Sequence, residues 1–333
     1  MLTLYTRNLN LWQSSQPNIS STDFAALSDQ DLWIDLFQPT IEEDRFLESQ
    51  LGIEVPTRED MRDIEPSSRL YTDHGLCVMT ASLLVGADTP KPSISPVTFI
   101  LTPNRLCTIR YAEPSSFSRF SSRLVRQANN LSSGESLFLT LLDVITDRLA
   151  EVLESHGHSL DVLSNDIFSN KPDDDPTRLI AAKAQDLQQV LKRLGQLGNT
   201  LSMARESLVS VARLLSFVGP SAENWLRADS QSHIKTLIRD VRFLTEHADA
   251  INGKINFLLD ATLGLIDIQQ TQTVKILSVA SVVFLPPTLI ASIFGMNFHH
   301  IPGLDNPYGF LLSLIFILLA GIVPYLIFYR KEL

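Results

Sequence analysis

Residues 276–298 read ILSVASVVFLPPTLIASIFGMNF, and the reading of this stretch decides the fold. Nineteen residues, Ile276 to Phe294, carry no charge. At about 1.5 Å per helical residue they reach across a bilayer core of about 30 Å. A second uncharged run, Tyr308 to Tyr329, follows the connection 295–307 and stops against Arg330 and Lys331. The two runs predict a membrane hairpin. Lys275 flanks the first span, Arg330 and Lys331 flank the second, and the connection holds neither Lys nor Arg. The positive-inside rule therefore places both termini in the cytoplasm, with 330–333 as a basic tail.

Within the first span, Ser278, Ser281, Leu285, Thr288 and Ser292 step by 3, 4, 3 and 4 and share one helical face. Thr271, Asp267 and Asp260 continue that stripe toward the amino-terminal side. The stripe reads either as a small-residue packing seam between helices or as the wall of a pore made by several copies. Asp260 and Asp267 read either as a solvated face or as carboxylates that concentrate cations at a mouth. Pro286 and Pro287 each remove a backbone donor, which predicts a kink or a loosened turn. The freed carbonyls of Val282 and Val283 need partners in lipid, and the Ser281 hydroxyl is the first candidate.

Upstream, no proline interrupts residues 221–285, so a helix capped by Ser221 is expected to run through a stalk, 221–275, into the span, 276–294. That rod would have about 70 residues and a length on the order of 100 Å. Residues 133–220 predict an antiparallel helical pair. Leu137, Leu141, Leu142, Ile145, Leu149, Val152 and Leu153 recur at helical spacing, and a second helix opens with Pro176 in its first turn. Asp173, Asp174 and Asp175 lie between the two, as helix caps or as a cation site. His156 and His158, two apart, diverge on a helix and read as surface residues.

Residues 1–132 predict an α/β domain. Strands are expected in 32–37, 69–85 and 96–111, with DHG and PNR as turns. A helix is expected behind Thr40, and Pro90, Pro92 and Pro96 mark a loop. Cys77 and Cys107 sit in apolar runs without metal-ligand spacing and predict buried structural thiols. The start, MLTLYTRNLNLWQ, lacks the basic and apolar regions of a signal peptide.

Lys and Arg number 27 against 37 Asp and Glu, a net charge of −10, which argues against nucleic acid as a partner. No nucleophile and base pair, metal triad or phosphate-binding glycine loop is visible, so neither an enzyme nor a nucleotide-driven pump is expected.

Phe294-Gly295-Met296-Asn297-Phe298, closing the first of two carboxy-terminal spans behind FLPPTLIAS, resembles the Gly-Met-Asn signature of the CorA family of divalent-cation channels. Within Trp33 to Tyr71, WIDLFQPT, LGI, PTRED and DIEPSSRLY are similar to the family's amino-terminal domain. The resemblance implies a homopentameric funnel in a bacterial-type inner membrane, with the first span lining the pore. It implies a selectivity filter of Gly295, Met296 and Asn297, the Asn297 amide holding a hydrated cation at the external mouth. It also implies polar pore positions at Thr288 and Thr271, apolar constrictions at Leu285 and Leu277, and a cytoplasmic funnel reached by Asp260; Ser281 and Asp267 join these through the stripe. Mg²⁺ is the implied substrate, with Co²⁺ or Ni²⁺ also carried, and a regulatory ligand held between protomers at sites left unassigned. One departure is Ile301-Pro302-Gly303-Leu304, where many magnesium members carry Met-Pro-Glu-Leu. That loop is similar to the ZntB branch, and with His299 and His300 it makes zinc the alternative cargo. A membrane-tethered cation sensor or scaffold without conduction is the alternative from another class.

Overall fold

The computed structural model describes residues 1–8, 11–17, 27–63, 65–126, 131–168, 176–296 and 308–331. The chain divides into two compact units, Met1–Phe168 with Lys192–Leu258, and Ser169–Leu191 with Leu259–Leu333.

The first unit is built on a seven-stranded sheet of β1 (Leu2–Asn8), β2 (Leu11–Ser15), β3 (Asp31–Phe37), β4 (Leu70–Asp73), β5 (Leu76–Val85), β6 (Ser93–Leu101) and β7 (Leu106–Arg110). The strand order is β2-β1-β3-β7-β6-β5-β4. The pairing is antiparallel except where β3 meets β7. Alternation along β3 sorts its side chains between two faces. Ile34 and Leu36 join Cys107, Ile109, Leu47 and Met61 in one core. Trp33 turns the other way, 5.1 Å from the ring of Phe120, while Phe99 lies 5.9 Å from Phe138. Helix α1 (Ile41–Leu51) serves the first core through Leu47, while α3 (Ser115–Arg126) and α4 (Gly134–Phe168) carry the aromatic rings of the second. Between them in sequence lies the one-turn α2 (Pro66–Arg69).

Local chemistry sets these boundaries. Thr40 and Glu43 form a reciprocal capping box at the start of α1, and Gly52 ends the helix at a left-handed φ of 71°. His74 and Gly75, at φ 47° and 79°, supply the tight turn between β4 and β5. At Gly134 an added Cβ would come 2.4 Å from the Arg105 carbonyl carbon, so only glycine admits this approach of α4 to the strand connection.

Pro96, expected in a loop, is instead inside β6, opposite Ser82. Pairing of β6 with β7 begins only at Val97, and the Ser82 N–H donates outward to the Ser210 hydroxyl at 2.8 Å. The proline's missing donor therefore falls where no strand needs it. Both cysteines are buried and free, and burial pushes the Cys77 thiol up to about 11 and the Cys107 thiol up to about 12.

The long helices are α4, α5 (Pro176–Ser221) and α6 (Ala228–Phe294). Within the first unit, Leu194, Leu201, Leu208 and Leu215 of α5 recur every seven residues and are buried, as are Ile234, Val241, Ala248 and Ile255 of α6. These repeats pack in the manner of a coiled coil. Exposed or half-exposed ion pairs link the helices, Arg205–Asp249, His233–Asp143 and Lys254–Asp161 among them.

Helix α6 starts at Ala228, not at Ser221 as expected. Gly219 and Pro220 do not break α5, because a proline in the final turn removes only one hydrogen bond. The chain then turns on itself, with Ala222 and Leu226 buried and the Leu226 N–H bonded to the Ala222 carbonyl at 2.9 Å. Arg227 immediately precedes the next helix, its carbonyl accepting from the Gln231 N–H and its own N–H donating to Glu135.

In the second unit, α6 continues as helix through Pro286 and Pro287 to Phe294, and α7 spans Gly309–Lys331. Both helices are long and apolar enough to cross a membrane.

Candidate functional site

The stripe predicted from the sequence occupies one face of α6, and the structure separates it from the face that packs. Val279, Val283, Pro286, Pro287 and Ile290 are half-buried. A Cβ added at Gly321 of α7 would lie 3.3 Å from Pro287 Cγ and 3.7 Å from the Val283 carbonyl oxygen. At 100° per residue this face lies roughly 150° around the helix from the Ser278–Ser292 stripe. The small-residue seam within one chain is therefore not the stripe. It lies on the other side, and its small partners are on α7.

Asp260, Asp267, Thr271, Ser278, Ser281, Thr288 and Ser292 are all exposed in the single chain. So are the apolar members, Leu285 at 66% and Leu277 at 69%. Leu277 lies roughly 60° off the stripe's mean direction. From Asp260 to Thr288 the stripe spans about 42 Å of helix rise. Neither Asp260 nor Asp267 makes an ion pair among the described residues.

Three of the stripe's hydroxyls are turned back onto their own helix. Ser278 donates to the Val274 carbonyl at 2.8 Å, Ser281 to Leu277 at 2.9 Å and Thr288 to Phe284 at 2.7 Å. Ser281 thus does not serve the carbonyls freed by the prolines, contrary to expectation. A serine hydroxyl in a helix reaches the carbonyl four residues before it, and Val282 and Val283 follow Ser281 in the chain. With their protons used, the hydroxyls offer oxygen lone pairs, the electrostatic sign that attracts a cation or the hydrogens of its water shell.

At the carboxy-terminal end of α6 the backbone tightens. The Gly295 N–H still donates to the Ala291 carbonyl at 3.0 Å, while Met296 donates three residues back, to Ile293, at 3.3 Å. A Cβ at Gly295 would lie 3.2 Å from the Ala291 oxygen, tighter than most such contacts. The helix thus ends in a turn at Gly295 and Met296. Asn297, His299, His300 and the Ile301–Leu304 loop lie outside the described residues, as does the acid cluster 173–175.

Each stripe residue occurs once per chain and faces one direction, so one copy supplies a wall and not an enclosure. Among the described residues, no three or more His, Cys, Asp or Glu side chains gather as a set able to hold a metal ion. Sequence reasoning missed Gly321 and the α7 face that carries it. Gly309, Ser313 and Ala320 beside it were a legible signal of small residues at helical spacing.

Residues 28–330 match the family described as CorA-like Mg²⁺ transporter protein. The magnesium transport protein CorA of Salmonella typhimurium is 33% identical over 302 residues, covering 90% of this chain and 91% of that one. The CorA of Escherichia coli K12 matches to the same extent, 33% over 302 residues. Among solved structures, the complete CorA magnesium transporter of Methanocaldococcus jannaschii superposes with a TM-score of 0.71 at 20% identity, over 99% of this chain and 98% of that one. The full-length CmaX protein does so with a TM-score of 0.67 at 17% identity, over 100% and 98%.

Proposed function

Because the chain belongs to the CorA-like Mg²⁺ transporter family, we propose that it carries Mg²⁺ across a bacterial-type inner membrane through a pore lined by α6 from five copies. The observation that carries this reading is the stripe from Asp260 to Ser292, left open along α6 while the opposite face is occupied by α7. An open stripe of hydroxyls, two carboxylates and intervening leucines, inside a helix long enough to span a bilayer, has the character of a pore wall.

The roles follow from chemistry. Mg²⁺ dehydrates reluctantly, so a ring of Asn297 amides would select it through hydrogen bonds to its water shell. The Gly295–Met296 turn would present that ring at the external mouth. Thr288, Ser281 and Thr271 would keep a water-bearing path along the wall, while rings of Leu285 and Leu277 would close it by excluding water. Asp260 and Asp267, near the cytoplasmic end, would raise the local cation concentration. Both termini would lie in the cytoplasm. The membrane potential alone would supply about 4.6 kcal/mol per 100 mV for a divalent ion. Cytoplasmic Mg²⁺ would act as regulator at sites between copies, as the resemblance implies.

Uptake into proteoliposomes tests the reading. Mg²⁺ entry that Asn297→Ala abolishes supports it. Zn²⁺ entry without Mg²⁺ would move the protein to zinc transport, and entry of neither ion by a verified oligomer would favour a sensor or scaffold.

A further inference from the structure

Within the first unit, α6 carries an open face that is aromatic. Lys254 pairs with Asp161 of α4, and Asp249 pairs with Arg205 of α5 at 2.5 Å, so α4 stands on one side of the helix and α5 on the other. The heptad Ile234, Val241, Ala248 and Ile255 is buried. At 100° per residue, Phe257 lies roughly 160° around the helix from Ile255, on the open side between Asp249 and Lys254 and roughly 60° from the latter. It is 61% exposed, and Phe243, two heptads earlier, is 67% exposed.

The Phe257 ring is nevertheless held. Its centroid lies 6.2 Å from that of Phe168 at the end of α4, with 29° between the ring planes. Phe168 is itself 53% exposed, so the stack fixes the Phe257 ring without covering it. Contiguous aromatic surface left open on a soluble segment marks a face that a partner or a ligand meets.

Phe257 and Thr271 are fourteen residues apart on one unbroken helix and roughly 40° apart around it, so Phe257 continues the stripe toward the amino-terminal side. Its chemistry is the reverse of the stripe's. Hydroxyls and carboxylates hold water, whereas a phenyl ring excludes it. Mg²⁺ releases its water reluctantly, so phenyl rings from several copies meeting across a path would bar the hydrated ion. Leu277, the nearer of the two leucine constrictions, is about 30 Å of helix rise away, so the two barriers are separate.

We infer that Phe257 forms an aromatic collar that narrows the ion path in the cytoplasm, with Phe168 of α4 as the positioning residue that holds each ring. The inference rests on the reading of α6 as the lining of a Mg²⁺ path. It adds a constriction outside the membrane, tied to the soluble domain through α4.

Mg²⁺ uptake into proteoliposomes holding the full-length protein tests it. Phe257→Ala should raise uptake about tenfold, while Phe257→Leu, which keeps apolar bulk, should stay within about twofold of the wild type. Phe168→Ala should give a smaller rise and Phe168→Tyr, which keeps the stack, none. Both rings are more than half exposed, so these changes should leave folding intact. Both native cysteines are buried, so the thiol introduced by Phe257→Cys can be labelled alone. A cationic methanethiosulfonate reagent should react with it and cut uptake below that of the wild type, because a fixed positive charge in the path repels Mg²⁺. Wild-type uptake that Asn297→Ala abolishes, but that neither Phe257→Ala nor labelling of Phe257→Cys alters, would overturn the collar and leave the path standing. No uptake by the wild type would overturn both.

Discussion

The buried ion pair beneath α3 gives the sharpest stability prediction. Arg110 donates to Asp35 through Nη2 at 2.9 Å and through Nε at 3.1 and 3.2 Å, with the two side chains only 9% and 4% exposed. Thr108 donates to the same carboxylate at 2.7 Å and accepts from the Trp33 indole at 3.0 Å. The guanidinium lies over Phe37 and Phe117, 4.6 and 5.0 Å from their ring centroids, so water has little access to it. Asp35→Ala leaves a buried cation unpaired, which costs about 3–5 kcal/mol. That is a large share of the roughly 5–15 kcal/mol that holds a typical domain together. Asp35→Leu with Arg110→Met removes both charges and should recover most of the loss. Trp12, Trp33 and Trp225 all fall in the first unit, so tryptophan fluorescence reports its unfolding while the spans stay in detergent. With a guanidinium dependence of about 4 kcal/mol per molar, the single variant should move the midpoint down by about 1 M. A shift below about 0.2 M, or a double variant no better than the single one, would refute the claim that the pair is desolvated.

Leu285→Ser should wet an apolar ring, and a barrier lowered by about 1.4 kcal/mol would raise basal Mg²⁺ flux about tenfold; unchanged flux in liposomes would remove Leu285 from the gate. Gly321→Leu forces bulk against Pro287, where even a methyl group would sit at 3.3 Å, and should cost about 1–3 kcal/mol in thermal unfolding, with Gly321→Ala costing less. Burial holds the Asp143 carboxyl above its ordinary value, against the opposing hydrogen bond from His233. The folded state therefore binds that proton more tightly than the unfolded state, so this site's contribution to stability grows as pH falls through the raised value. The melting-temperature difference between Asp143→Asn and the wild type should be most positive at pH 7 and shrink toward pH 4. A difference that does not change with pH would show that Asp143 titrates as it does in the unfolded chain.

The hairpin was legible because nineteen uncharged residues and flanking cations admit few alternatives. The long helices were legible because Leu and Ile recur at heptad spacing with few prolines. Other elements were hidden by chemistry that local pattern does not expose. Helix α3, SSFSRFSSRLVR, buries Phe117, Phe120 and Leu124, but serine and arginine at most other positions mask that spacing. The β1–β2 hairpin has apolar residues only at scattered positions, and its register is set by β3 far along the chain. Pro96 and Pro220 were read as breaks, yet each stands where its missing N–H removes little. The candidate stripe was visible in spacing alone, but its separation from the packing seam required α7, where the small residues Gly309, Ser313, Ala320 and Gly321 mark the half-buried face.

The central proposal is that α6 lines a Mg²⁺ path whose outer mouth is a selecting ring of Asn297. The direct measurement is Mg²⁺ uptake under an inward-negative potential in proteoliposomes, comparing the wild type with Asn297→Ala at matched amounts of intact oligomer. The account predicts uptake by the wild type that scales with potential and is lost in the variant. Equal uptake by both proteins, or none by either, would contradict it.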